Sequence, residues 1–160
     1  MKVALFPGSF DPITTGHVEI IERGLSIFDK IVVAIGVNAN KKYMFSVEDR
    51  IAMLTKTFAH DPSIEIAQYQ TLTVNFAKEK NISFILRGLR APSDLEYEQP
   101  IAYVNQHLSP EIEIVCLLSK PETAHISSSV VREIIRYQGN LNKLVPPAVI
   151  EYIFDKNLVF

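Results

Sequence analysis

The chain has 160 residues, of which 48% are hydrophobic and 21% charged, with a formal net charge of −2 and a single cysteine. That balance suits one globular domain, expected over residues 1–160, with a sizeable core. The slight acidity argues against a bulk nucleic-acid binder, which is ordinarily basic. One cysteine allows no intramolecular disulfide, as is usual in a reducing cytoplasm. Lys2 is followed by only four apolar residues before Pro7, too few for a signal-peptide core. No apolar run approaches bilayer-spanning length. A soluble cytoplasmic protein is expected, with no membrane and no nucleic acid among its partners.

In chain order, Val3-Ala4-Leu5-Phe6 is a short buried strand that Pro7-Gly8 should stop. Ser9-Phe10-Asp11-Pro12 forms a turn. A helix follows over 16–28, with Ile20, Ile21, Leu25 and Phe28 on its apolar face and His17 in its first turn. Gly24 within it points to close packing. A buried strand at 31–37 leads to the polar loop Asn38-Ala39-Asn40-Lys41-Lys42. Ser46 caps a second helix, with Asp49 three residues on completing a capping box and Ile51, Leu54 and Phe58 facing inward. Then come a short strand at 64–66, a helix opening at 72–77, and a strand at 83–86 ending at Arg87-Gly88-Leu89-Arg90. A helix over 94–107, a strand at 113–118, a loop at 119–126, a helix over 127–137 and a closing helix over 146–154 complete the chain. Cys116, inside an apolar run, is expected to be packed in the core. Five strands alternating with helices predict an α/β fold: a Rossmann-like, parallel five-stranded sheet with helices on both faces.

Right-handed crossovers place every strand-to-helix loop on one rim, where ligands of open α/β sheets bind. Four loops meet there. The first carries Ser9 and His17, at a helix start whose free N–H groups and dipole favour an anion. The second carries Lys41 and Lys42. The third carries Arg87 and Arg90 around a glycine directly after a buried strand, where arginine's planar fork suits phosphate. The fourth is Ile126-Ser127-Ser128-Ser129, a hydroxyl-rich helix start with Arg132 beyond it. Each group also has a plainer reading, as a solvated charge or a helix cap. P-loop and G-x-G-x-x-G fingerprints are absent, which argues against a Walker-type kinase and a dinucleotide oxidoreductase. Asp11, Asp94, Glu96 and Glu98 match no metal-ligand spacing, so no dedicated metal site is expected.

The string P-G-S-F-D-P-I-T-T-G-H, residues 7–17, resembles the T-x-G-H motif of the nucleotidyltransferase superfamily. R-G-L-R followed by D-L-E-Y-E, and I-S-S-S-x-V-R, resemble two further blocks of its phosphopantetheine adenylyltransferase family. The resemblance implies transfer of the adenylyl group of ATP to 4′-phosphopantetheine, giving dephospho-coenzyme A and pyrophosphate. It implies His17, Lys41, Arg87 and Ser9 as catalytic groups, with His17 stabilising the transition state. ATP would be lined by Ser9, Phe10, His17, Gly88, Leu89, Arg90 and Glu98, and by Thr123, Ala124, His125, Ile126, Ser127, Ser128 and Ser129. Phosphopantetheine would meet Ser9, Lys41, Thr73 and Arg87. Mg²⁺ would arrive with the nucleotide phosphates. A homohexamer inhibited by coenzyme A is implied as well. This chain carries Lys42-Tyr43-Met44-Phe45 where many members have a proline before the apolar pair. A sister transferase using another acceptor, such as nicotinate mononucleotide, or CTP, is the alternative enzyme. A nucleotide sensor without chemistry is the alternative of another class.

Overall fold

The computed structural model describes residues 1–38 and 40–156; Ala39 of the expected polar loop, and the last four residues of the expected domain, lie outside the described residues. Strands β1 (Val3–Gly8), β2 (Lys30–Gly36), β3 (Ile64–Tyr69), β4 (Phe84–Leu89) and β5 (Glu113–Leu118) alternate with α1 (Thr15–Gly24), α2 (Val47–Thr57), α3 (Thr73–Glu79) and α4 (Pro92–Leu108). Two helices, α5 (Ser128–Arg136) and α6 (Pro147–Asp155), end the chain. The strands form one parallel sheet in the order β3-β2-β1-β4-β5. This is the expected Rossmann-like α/β architecture.

Alternation along the central strands sends side chains to both faces. Ile31, Val33 and Ile35 of β2 join Ala4 and Phe6 of β1 in a core with α1, α2, α5 and α6. Val32 and Ala34 join Leu5 in a second core with α3. Buried apolar groups on both faces are what make a parallel sheet stable.

The direction of chain growth reverses beside β1, since β2 and β3 lie on one side of it and β4 and β5 on the other. At that switch point β1 pairs with β4 only through Ala4–Phe84 and Leu5–Ile85. Beyond Leu5 the two strands separate and leave a crevice at their carboxyl ends, where such sheets bind ligands. Pro7, which has no N–H to donate, therefore costs no ladder hydrogen bond on that side.

Several boundaries differ from expectation. β1 continues through Pro7 and Gly8, held by pairing of Pro7 with Ala34 and Gly8 with Ile35 on β2. β4 absorbs Arg87, Gly88 and Leu89, which pair with Cys116, Leu117 and Leu118, so this motif is strand rather than loop. β3 runs on to Tyr69. α1 stops at Gly24, four residues short of Phe28. A Cβ on Gly24 would lie 2.7 Å from both Ile31 Cδ1 and Leu86 Cδ2, so the helix end presses directly onto the sheet. Cys116 is exposed, not packed, because β5 is an edge strand and α4 covers it with no fully buried residue of its own.

Ile31 and Leu86 are fully buried and have little room to turn away. Gly24→Val is therefore expected to destabilise the fold by about 1–3 kcal/mol through overpacking. The check is a lower urea midpoint at an unchanged denaturant slope.

Candidate active site

The turn from β1 to α1 carries His17 into the crevice, and local hydrogen bonds fix its ring. Thr14 is the N-cap of α1: its hydroxyl oxygen accepts from the His17 backbone N–H at 3.4 Å. In return the Thr14 backbone N–H donates to His17 Nδ1 at 3.1 Å, and the Thr14 hydroxyl lies 2.9 Å from the same nitrogen. This is a capping box with histidine in the place usually held by Glu or Gln. A backbone N–H can only donate, so Nδ1 is an acceptor and the neutral ring carries its proton on Nε2. Burial, with smaller contributions from Arg90 and Arg87, pushes the His17 pKa down to about 4. Near neutrality His17 is thus an uncharged imidazole with one N–H to offer. Phe6 and Phe10 pack edge-on against it, with ring centroids 6.4 and 5.2 Å away. Phe10 takes φ 46°, a left-handed conformation for a residue with a side chain. Its ring lies where a Cβ on Gly8 would stand, 2.8 Å from Phe10 Cζ. Strain of this kind, typically about 1–3 kcal/mol, gathers at functional turns.

Two adjoining cavities open on the crevice. The first, of about 460 Å³, is lined by Phe10 and His17, by Gly88, Arg90 and Glu98, and by Ile126, Ser127, Ser128 and Ser129 at the start of α5. The second, of about 920 Å³, is lined by Ser9, Lys41, Thr73 and Arg87, the four residues singled out for phosphopantetheine. Arg87 and Glu98 line both, together with Pro7, Gly8 and Tyr97. The remaining residues singled out for ATP lie off the first cavity. Leu89 is turned into the core at 6% exposure. Thr123 donates its hydroxyl to Glu19, Ala124 is half-buried beside it, and His125 is exposed. Ser9 lines only the second cavity.

Arg87 is already well occupied. Its Nε donates to Glu98 Oε2 at 2.9 Å, its Nη2 to Glu98 Oε1, and its Nη1 to the Pro7 carbonyl at 3.0 Å. The guanidinium thus bridges the gap where β1 and β4 have parted. Glu98, expected to line ATP, also serves as the carboxylate that orients Arg87. Arg90 is held by Asp94 through its backbone N–H, Nε and Nη2, at 2.8, 3.0 and 3.2 Å. The serines are likewise engaged. Ser127 caps α5 by accepting from the Val130 N–H, Ser128 donates to the Pro12 carbonyl at 2.8 Å, and Ser129 accepts from Arg132 at 3.0 Å. Thr73 meets the Tyr69 hydroxyl at 2.9 Å, and Tyr69 stacks on Phe76.

The long-range partners of three supporting groups, Asp11, Arg132 and Glu19, are not evident in the sequence. Asp11, only 3% exposed, accepts from the backbone N–H groups of Met44 and Phe45 at 2.9 Å each, tying the lysine loop to the first turn. Arg132 donates to the Asp11 carbonyl at 2.8 Å. Glu19 accepts from the Lys120 N–H, the Thr123 hydroxyl and Arg23, anchoring the loop before α5 to α1. The strings S-F-D-P, G-H-V-E and S-V-V-R contain these residues, but apart from Arg23, one helical turn from Glu19, the partners named lie from 33 to 121 positions away and local pattern cannot show them.

A histidine pKa depressed by folding stabilises the native state above the unfolded value near 6.5, and that contribution is lost as pH falls through about 4. In the unliganded chain the His17 ring resonances are expected to stay at their neutral, Nε2–H positions from pH 8 to about 5.5. Nitrogen-15 NMR of the ring checks this; a midpoint near 6.5 would contradict the assignment.

A family model described as cytidylyltransferase-like matches residues 5–134. Proteins named phosphopantetheine adenylyltransferase are similar over nearly the whole chain. That of Flavobacterium johnsoniae is 52% identical over 149 residues, covering 93% of this chain and 97% of its own. That of Nautilia profundicola is 47% identical, covering 92% and 96%. That of Clostridium beijerinckii is 43% identical, covering 98% of each. With a matched domain spanning the crevice and relatives aligned almost end to end, the chain belongs to the phosphopantetheine adenylyltransferase family of nucleotidyltransferases.

Proposed function

We propose that the chain catalyses reversible transfer of the adenylyl group of ATP to 4′-phosphopantetheine, releasing pyrophosphate and dephospho-coenzyme A. One observation carries this reading: two adjoining cavities share Arg87, with His17 in one and Ser9 and Lys41 in the other. ATP occupies the cavity of His17 and the serines. Phosphopantetheine occupies the larger one, its phosphate between Ser9, Lys41 and Arg87 and its arm towards Thr73. The acceptor is a phosphate monoester, largely dianionic near neutrality, so no general base has to activate it. Two repelling anions must be brought together with the acceptor oxygen in line with the α-phosphorus. Positioning and charge stabilisation then supply the catalysis, without a covalent enzyme intermediate. His17 donates Nε2–H to the α-phosphate as charge builds there, and Lys41 follows the moving phosphoryl oxygens as a mobile point charge.

Mg²⁺ travels with ATP in this reading. Asp11, Asp94 and Glu98 are already spent on backbone N–H groups and arginines, so the ion's oxygen ligands come from the nucleotide phosphates and water. Coenzyme A shares the pantetheine arm and inhibits by competing for the larger cavity. The chain assembles as a homohexamer of the cytoplasm. Support for assembly comes from α4, which leaves Tyr97, Tyr103, Val104 and Leu108 at least half exposed. No helix among the described residues is long and apolar enough to cross a membrane.

Pyrophosphate release is expected with ATP and 4′-phosphopantetheine and not with nicotinate mononucleotide or CTP; the reverse selectivity would favour the sister transferase. His17→Ala is expected to lower turnover by roughly 10²-fold or more, the scale of one lost transition-state donor, with ATP affinity largely kept. Turnover equal to the parent chain would remove His17 from the chemistry. Sedimentation velocity is expected to show a hexamer, and Val104→Glu with Leu108→Glu to shift it to smaller species.

A further inference from the structure

Arg50 is the largest fully buried side chain, at 1% exposure, and no carboxylate forms an ion pair with it among the described residues. A buried cation without a counter-ion is costly unless its donors are satisfied. Its Nη1 donates to the Ser9 carbonyl at 2.8 Å and its Nε to the Ser46 carbonyl at 3.2 Å. The guanidinium carbon sits 4.1 Å from the centre of the Tyr43 ring. One side chain therefore grips both loops that face the acceptor cavity: the turn bearing Ser9 and, through Tyr43, the segment two residues beyond Lys41. A rigid planar fork can bind carbonyls in its plane while stacking on a ring, which an ammonium cannot reproduce. The ring stacked on the guanidinium restrains this segment.

We infer that Arg50 and Tyr43 are positioning residues, a strut that sets the Ser9 turn and the Lys41 loop at the separation needed to hold the acceptor phosphate. Arg50 is enclosed, lines neither cavity and acts through the Ser9 turn and Tyr43. Tyr43 also lines the acceptor cavity, and its positioning part is its stack on Arg50, which the exchange comparison reads without substrate. The second tie between the same loops, from Asp11 to Met44 and Phe45, fixes the loop's base. The strut fixes its approach to the cavity. This inference rests on the adenylyl-transfer reading for the identity of the acceptor, but the strut itself is testable without turnover.

Two measurements decide it. Hydrogen exchange on the unliganded chain is expected to quicken about tenfold in segments 8–11 and 41–46 for Arg50→Lys and for Tyr43→Ala. The centre of the sheet should be unchanged, and Tyr43→Phe, which keeps the ring, should exchange like the parent chain. Steady-state kinetics are expected to show KM for 4′-phosphopantetheine raised about tenfold in Tyr43→Ala and Arg50→Lys. KM for ATP should stay within twofold, and Tyr43→Phe should restore the parent values. Tyr43 is half-buried, so its alanine variant tests the strut even if the Arg50 variants fold poorly. Parental exchange in both segments of Tyr43→Ala would overturn the strut. Quickened exchange with an unchanged acceptor KM would overturn its role in positioning the acceptor. A parent chain that releases no pyrophosphate would sink the adenylyl-transfer reading instead, leaving the exchange comparison to decide the strut.

Discussion

The chain's chemistry depends on a pairing that stops early. β1 and β4 share only two ladder pairs before they separate, and the Arg87 side chain spans the resulting gap to reach the Pro7 carbonyl. Had the ladder continued, Pro7 and Arg87 would be backbone partners and no cleft would exist between them. Because it stops at the switch point of the sheet, the first helix start, the lysine loop and the arginine strand end all open onto one space. The α/β architecture supplies the location, and the broken ladder supplies the room.

The groups that face this space are restrained by others that do not. Asp11 holds the lysine loop, Arg50 holds the Ser9 turn, Glu19 holds the segment leading to α5, and Glu98 and Asp94 hold the two arginines. Even the last helix contributes. Tyr152 of α6 donates its hydroxyl to Asp49, the carboxylate that completes the cap of α2 one residue before Arg50. Burial, together with that bond and the Asp49 charge, pushes the Tyr152 pKa up to about 12. Arg87 is fixed by Glu98 and Arg90 by Asp94, and each still lines a cavity, so both guanidinium groups have a set orientation at the crevice.

Much of this was legible in the sequence where the signal is local. The Ser46–Asp49 capping box, the continuous apolar β2 run and the strand-then-helix rhythm are short-range patterns, and each sits where the residues imply. The string from Ser9 to His17 pointed to the crevice because a helix start after a buried strand has few other places to go. Non-local pairing was not legible. Nothing near Asp11 reveals that its acceptors are claimed 33 positions later, and nothing near Cys116 reveals that β5 is an edge. The end of α1 shows the limit most clearly. Leu25 and Phe28 keep helical spacing and their N–H groups still donate to the Ile21 and Gly24 carbonyls, yet the regular helix stops at Gly24, where the chain presses onto Ile31 and Leu86. The ring state of His17 was equally hidden, since its tautomer is set by a backbone N–H that only the folded turn brings to Nδ1.

That same bond gives one imidazole two occupations. Through Nδ1 the ring closes off the start of α1, a cap of the sort worth about 1 kcal/mol; through Nε2 it faces the cleft. A substitution at this position that cannot accept from the Thr14 N–H therefore lowers the folded population, whatever it does to activity. In a survey of variants scored by cellular abundance alone, position 17 would register a deficit that has nothing to do with phosphates. Depletion there identifies a reacting group only after the abundance component has been measured separately and removed.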